Sequence, residues 1–374
     1  MGEMPANPIH LLGAGLVVTV GLAATSGAAS APATGSRLAA DAAQGKSKIA
    51  FISRGPQRRH GLYVASADGS GQRRLTGPVL DRTPAWSPDG RRIAFESVHA
   101  CRSAGNPARC DRSTGVYVVN ADGSFRLRLA RNGSAPAWSP DGRTIAFFSG
   151  AKIYLMNADG SEHRPLTRPL TAGHKRSLAW SPDGRKLAFL NDGDCRQFCF
   201  NLYVVGSDGS GLRNLTSRLG ADAGPGAGPA SDPAWSPDGR KLAFVRLNAG
   251  LGAPIYVVEA DGSGLRRLAH NPALDAAPTW SPDGRKLAFV SERDGNSEVY
   301  VMSANGSGQR NLTRDPAFDG DPAWSPDGRS IAFRSTREGN TEVYIMNADG
   351  SGQRNLTRSP ANEGWFAWQP GPRN

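Results

Sequence analysis

The chain has 374 residues and a formal net charge of +11, and it contains 46 glycines and 27 prolines. No stretch after residue 47 runs twenty residues without one of these two, which excludes a coiled coil or a bundle of long helices. The positive charge favours anionic surroundings such as phospholipid headgroups or an acidic cell-wall polymer. However, the arginines recur at regular positions, as on a solvated surface, and we predict no nucleic-acid partner.

The N-terminal segment has the pattern of a secretory signal peptide. The apolar run Leu11–Ala24 is too short to span a bilayer comfortably, and small residues follow it. It is the only long apolar run, so we predict no transmembrane span. We assign residues 1–31 to a signal peptide, 32–47 to an Ala-rich linker and 48–370 to the folded domain. This organisation predicts an extracytoplasmic protein, either secreted or periplasmic.

An internal repeat dominates the rest of the chain, and it recurs every 42 to 55 residues. The string Trp-Ser-Pro-Asp-Gly occurs six times, and a degenerate copy, Trp-Gln-Pro-Gly, follows near the C-terminus. The complete copies begin at Trp86, Trp138, Trp180, Trp235, Trp280 and Trp324, and the degenerate copy begins at Trp368.

Each copy is followed by two short apolar runs, a second turn string and a closing run. After Trp280 these are Leu287–Phe289, Val299–Met302, the turn Ala-Asn-Gly-Ser and Arg310–Thr313. Proline presets φ in the first turn, and glycine supplies a positive φ in both. Each unit therefore reads as four short antiparallel strands, which is the pattern of a β-propeller blade.

Counting the units predicts an all-β fold, a seven-bladed propeller. Residues Lys48–Thr76 contain the second, third and fourth strands of a blade, while Trp365–Trp368 form a first strand with nothing after it. We expect these two segments to pair and close the ring, because closure removes an open sheet edge.

The six identical strings resemble the PD40 repeats of the TolB-type propeller family, relatives of the WD-repeat class. The resemblance covers residues 48–370 and implies the fold. For function it implies either a binding protein or a propeller beside a catalytic domain. TolB proteins have six blades after a separate α/β domain, and residues 1–47 are too few for that domain. We therefore do not expect a direct role in the Tol-Pal system.

The two faces of the ring should differ. The first strand of each blade lines the central channel, and both turn strings lie on one face, here called the turn face. The loops between second and third strands and between blades lie on the opposite loop face. Its largest insertions are 97–115, 191–201 and 217–231. Because this face carries the length variation, we expect binding there.

Charged residues at the start of the first strands are the candidate binding site. In four adjacent blades an acid stands five residues before the repeated Trp. A lysine occupies the same position on the opposite side of the ring. Two more acids stand three residues before the repeated Trp. They are Asp81, Asp275, Asp319 and Glu363, then Lys175, then Asp232 and Asp321. We interpret the acids as an acidic arc at the channel mouth that binds a basic peptide end, an amine or a cation. The alternative is that they cap the turns between blades.

No cofactor is predicted, with Ca²⁺ as a weaker alternative. Asp315, Asp319 and Asp321 could supply oxygen ligands, but they lack the spacing of a calcium loop.

The four cysteines fall into two local pairs in loop-face insertions. We expect disulfides Cys101–Cys110 and Cys195–Cys199, which suit an exported protein. A four-cysteine zinc site is the alternative, but neither pair has the usual two-residue spacing. We therefore predict no metal.

The chain has no Gly-x-Ser-x-Gly elbow and no His-Glu-x-x-His motif, so we predict that it is not an enzyme. The carboxylate pair Glu298 and Glu342 is explained by the repeat, and Trp365 and Phe318 are the candidate exposed aromatics. We predict a secreted propeller that binds a protein or peptide on its loop face. The alternatives are a lyase or hydrolase acting on an acidic glycan at the channel mouth, and attachment to an anionic cell-wall polymer.

Overall fold

The computed structural model describes residues 47–55, 60–77, 80–98, 114–170, 175–191, 201–217, 233–246, 252–269 and 271–371. The predicted signal peptide and nearly all of the linker lie outside this part of the chain. Within it, no helix is long and apolar enough to cross a bilayer.

The described residues form strands throughout, and we number the blades in chain order. Blade 1 contains β1 (Lys48–Arg54), β2 (His60–Ser66), β3 (Arg73–Arg74) and the last strand, β28 (Asn362–Trp368). Blade 2 contains β4 (Leu80–Trp86), β5 (Arg92–Val98), β6 (Thr114–Asn120) and β7 (Leu127–Arg131). Blade 3 contains β8 (Gly133–Trp138), β9 (Thr144–Ser149), β10 (Lys152–Asn157) and β11 (Arg164–Pro165). Blade 4 contains β12 (Lys175–Trp180), β13 (Lys186–Asn191), β14 (Asn201–Gly206) and β15 (Arg213–Asn214).

The remaining blades follow the same order. Blade 5 contains β16 (Ala234–Trp235), β17 (Lys241–Val245), β18 (Ile255–Glu259) and β19 (Arg266–Arg267). Blade 6 contains β20 (Asp275–Trp280), β21 (Lys286–Ser291), β22 (Glu298–Ser303) and β23 (Arg310–Asn311). Blade 7 contains β24 (Asp319–Trp324), β25 (Ser330–Ser335), β26 (Glu342–Asn347) and β27 (Arg354–Asn355).

Seven four-stranded antiparallel sheets form a closed ring. Six of them have consecutive strands, and the seventh has the order β28-β1-β2-β3. The first strands of neighbouring blades contact one another around the whole ring, including β24 with β28 and β28 with β4. These strands therefore surround the central axis, and the predicted seven-bladed propeller is confirmed.

The ring closes where the chain enters and leaves it. Strand β28 pairs with β1 in the register Ile49 to Trp368, and the Gln369 amide donates to the Lys48 carbonyl at 2.8 Å. In blade 2 the equivalent bond joins the Ser87 amide to the Arg92 carbonyl, also at 2.8 Å. The two chain segments thus meet where the other six blades have a Ser-Pro-Asp-Gly turn.

The repeated tryptophans connect each blade to the one before it. The Trp86 indole N–H donates to the Ala367 carbonyl at 3.1 Å, and four other blades repeat this bond. The indole N–H groups of Trp138 and Trp324 have no partner among the described residues. Six of the seven repeated tryptophans are buried, so their rings pack between blades rather than stack against a ligand.

Candidate functional site

A bulge in the first strand shapes the channel wall at its loop-face end. The pairing between the first and second strands shifts register in six blades. In five of them, all but blade 1, the residue three before the repeated Trp has a positive φ, between 46° and 62°. The bulged residues are Thr83, Ala135, Ser177, Ala277 and Asp321. A bulge of this kind re-aims a side chain and ends regular pairing.

The structure buries the four acids predicted to form the arc. Asp81, Asp275, Asp319 and Glu363 are at most 3% exposed. Each is paired in the backbone with a residue near the end of the second strand, so its side chain lies inside the blade beneath the loops. The prediction of an exposed acidic arc is therefore wrong for these four residues, because their positions belong to the core rather than to the channel mouth.

Internal partners contact these carboxylates, although Asp81 Oδ1, Asp319 Oδ1 and Glu363 Oε2 are buried without a partner among the described residues. The Thr76 hydroxyl donates to Asp81, and the Asn271 amide donates to Asp275 at 3.0 Å. Arg337 forms an ion pair with Asp319 at 2.7 Å. Thr76 and Asn271 belong to the connections between blades, so the geometry at Asp81 and Asp275 corresponds to the alternative interpretation of acids that cap these turns.

Burial also changes the protonation of this set. It raises the pKa values of Asp81 and Asp275, in each case against hydrogen bonds that favour the charged form. Burial raises the pKa of Asp319 to about 6 although Arg337 lies beside it, and raises that of Glu363 to about 8. Burial thus disfavours the charged form of these carboxyls, which exposure at a binding site would not do.

The other predicted residues have different environments. Asp321 forms an ion pair with Arg334, and Asp315 lies 3.8 Å from the Arg337 guanidinium, so the three acids proposed for Ca²⁺ each face an arginine. Lys175 begins β12, where its backbone pairs with Asn191.

Several predictions fall on parts of the chain outside the description. They concern Asp232 and the cysteines Cys101, Cys110, Cys195 and Cys199. The two disulfides stay predictions. Within the described residues, no group of three or more His, Cys, Asp or Glu is placed to hold a metal ion.

Sequence reasoning missed three arginines at the loop-face end of the channel. Arg54 ends β1, Arg82 lies in β4 beside a bulge, and Arg334 lies in β25 against another bulge. We call these three residues the arginine cluster. The available signal was a departure from the repeat: Arg334 occupies the fifth position of a second strand, where Leu190 and Val290 are typical.

Comparisons with known proteins identify the repeat. The PD40 family, described as the TolB beta propeller domain, matches residues 225–315. The Tol-Pal system protein TolB of Thioalkalivibrio sulfidiphilus is 36% identical over 89 residues, which are 22% of this chain and 18% of that protein. TolB of Desulfosudis oleivorans is 30% identical over 130 residues, 33% of this chain and 27% of that protein. The chain thus matches less than a third of the length of either relative.

Solved structures share the fold. TolB from Acinetobacter baumannii aligns with a TM-score of 0.54 and 22% identity, covering 88% of this chain and 68% of that one. An oligogalacturonate lyase in complex with manganese aligns with a TM-score of 0.60 and 16% identity, covering 85% and 86%. Propellers of this shape thus include both TolB and a lyase. The ring thus makes the chain a seven-bladed β-propeller, and its residues 225–315 match the PD40 family of TolB-type repeats.

Proposed function

We propose that this propeller is non-catalytic and binds a protein or peptide partner on its loop face, outside the cytoplasm. The observation that carries the proposal is the contrast between the two faces. On the turn face, each described Ser-Pro-Asp-Gly turn repeats one bonding pattern, as in Ser87, whose hydroxyl accepts from the Arg92 amide at 2.8 Å. At the loop-face end the blades differ in loop length and in charge.

Two exposed leucines mark the loop face as a candidate contact surface. Leu80 and Leu274 are 47% and 46% exposed; Leu80 begins the first strand β4, and Leu274 directly precedes the first strand β20. Such side chains can contact a protein partner, although the turn face exposes others, among them Phe125 and Leu212, so the leucines alone do not distinguish the two faces. The likeness to TolB supports a protein partner, and together with the signal-peptide pattern of residues 1–31 it supports a location outside the cytoplasm.

The second candidate function is a lyase or hydrolase acting on an acidic glycan at the channel mouth. The arginine cluster favours it, because arginines pair with uronate carboxylates. It would also need a general base within reach of the sugar. The arc acids, which could have supplied that base, lie inside the blades. The enzyme therefore has less support than peptide binding.

Site-specific photocrosslinking in the full chain tests the proposal. A p-benzoylphenylalanine replaces Leu274 on the loop face or, as the matched control, Phe125 in a turn-face loop, which is 67% exposed. We expect a partner from the native envelope to crosslink at position 274 and not at 125. Crosslinking of the same proteins at both positions would contradict a loop-face site. Turnover of an oligogalacturonate, followed by the absorbance of the unsaturated product, would instead favour the enzyme.

A further inference from the structure

One member of the arginine cluster stacks on an aromatic ring at the loop-face end of the channel. The Arg54 guanidinium carbon lies 4.6 Å from the centre of the Trp365 ring. Residue 364 is glycine, and a Cβ added there would lie in van der Waals contact with Arg54 Nε, at 3.4 Å, so the guanidinium also packs along the backbone next to the ring. Arg82 and Arg334 belong to the two neighbouring blades and lie near enough for their charges to act on Arg54.

The cluster has more positive than negative charge. Arg334 pairs with Asp321, and Arg82 lies 3.8 Å from Glu96. The Arg54 guanidinium forms no ion pair or hydrogen bond with any described residue. Three guanidinium groups therefore face two carboxylates, and one positive charge is left unbalanced. Burial lowers the pKa of Arg54, and the charges of Arg82 and Arg334 lower it further.

Unused hydrogen-bond donors lie in the same three blades. Among the described residues, Arg334 Nε, Trp365 Nε1 and Thr83 Oγ1 are buried polar atoms without a partner. Thr83 and Trp365 both stand three residues before the repeated Trp, and Arg334 pairs with Asp321 at the same position. Buried donors without partners are rare in folded proteins, and a bound acceptor is one way to satisfy them.

We propose that the arginine cluster binds a carboxylate of a peptide, either an acidic side chain or a free C-terminus. A carboxylate is planar and offers two acceptor oxygens, which match the fork of a guanidinium. It also carries the single negative charge that balances the cluster, whereas a phosphate monoester or a polyuronate brings more. The inference rests on the proposed function, because it assigns the chemistry by which the loop face recognises its partner. It also reverses the charge of the ligand expected from the sequence, which was a basic peptide end.

Binding of synthetic peptides to the full chain tests the inference. The probes are three labelled Gly-Ser octapeptides: one has an internal Asp and an amidated C-terminus, one has a C-terminal Gly with a free carboxylate, and one has Asn and an amidated C-terminus. Fluorescence anisotropy is measured at about 50 mM NaCl, where exposed charges are only partly screened. We expect one or both carboxylate probes to bind about tenfold more tightly than the amide probe.

A matched pair of variants separates the cluster from the overall charge. The test variant is Arg54→Gln with Arg82→Gln, and the control is Arg91→Gln with Arg329→Gln, two exposed arginines on the turn face. We expect the test variant to lose about tenfold in affinity for the preferred carboxylate probe and the control to keep it. Equal loss in both variants, or equal binding of all three probes, would overturn the proposal.

Two further outcomes keep this inference distinct from the proposed function. If the double variant Arg54→Gln with Arg82→Gln gives the same yield of crosslinked partner as the wild type, the protein-binding function stands and the carboxylate inference fails. If oligogalacturonate competes with the peptides at lower concentration than a free acidic peptide does, a glycan is the better ligand and the peptide assignment fails.

Discussion

Replacing Glu363 with glutamine should remove most of the fall in the free energy of unfolding that this residue causes as the pH rises. Glu363 lies in the strand that closes the ring and is 2% exposed. The Ser53 hydroxyl donates to its Oε1 at 3.4 Å, while Oε2 is buried without a partner among the described residues. Burial, together with the negative charge of Glu342, raises the pKa of Glu363 from 4.5 to about 8.

The sign and size of the effect follow from proton linkage. Below pH 4.5 the carboxyl is protonated in both the folded and the unfolded chain, so its burial costs least there. Between pH 4.5 and about 8 the unfolded chain releases this proton and the folded chain keeps it. The free energy of unfolding then falls by about 1.4 kcal/mol per pH unit, or about 5 kcal/mol over the whole window.

Urea denaturation at several pH values between 5 and 9 measures this loss. The wild-type midpoint should fall with rising pH, and Glu363→Gln should flatten that fall, because the amide does not titrate. Glu162→Gln, at an exposed position, is the matched control and should leave the slope unchanged. Parallel pH profiles for wild type and Glu363→Gln would refute the reasoning.

Two further predictions concern contacts between and within blades. Trp86→Phe removes the bond to the preceding blade and should lower the free energy of unfolding by about 1 kcal/mol more than Trp138→Phe, whose indole N–H has no described partner. Equal urea midpoints for the two variants would count against a stabilising role of this bond. Arg337→Met leaves the buried Asp319 without its cation and should cost about 3 kcal/mol, whereas Arg329→Met at an exposed position should cost little. A thermal melt compares the pair, and a small loss at both positions would show that Asp319 does not depend on Arg337.

The sequence was sufficient for the fold because each turn is determined locally. Serine, proline, aspartate and glycine within one string select the turn without help from distant residues, and the string recurs in six blades. Ring closure could be predicted as well, because Lys48–Thr76 and Trp365–Trp368 complement each other in strand count. Both features depend on spacing along the chain, which the sequence displays directly.

The site could not be predicted in the same way, because burial depends on how blades meet. Asp319 and Asp321 are two residues apart and look alike in sequence. In the structure, Asp319 lies inside the blade, while Asp321 stands on a bulge and pairs with Arg334. The bulge displaces a residue from the regular two-residue alternation, so the alternation rule does not identify which side chain reaches the channel. The meeting of Arg54 with Trp365 depends on ring closure across the full length of the chain.

The pairing of β28 with β1 also sets the orientation of anything attached to the ring. Lys48 and Gln369 are neighbours on the turn face, so the described chain enters and leaves the ring on that side. A tether attached at either residue would hold the propeller with its turn face towards the attachment point. The arginine-lined mouth would then point away from the anchoring surface, where an approaching partner meets it first.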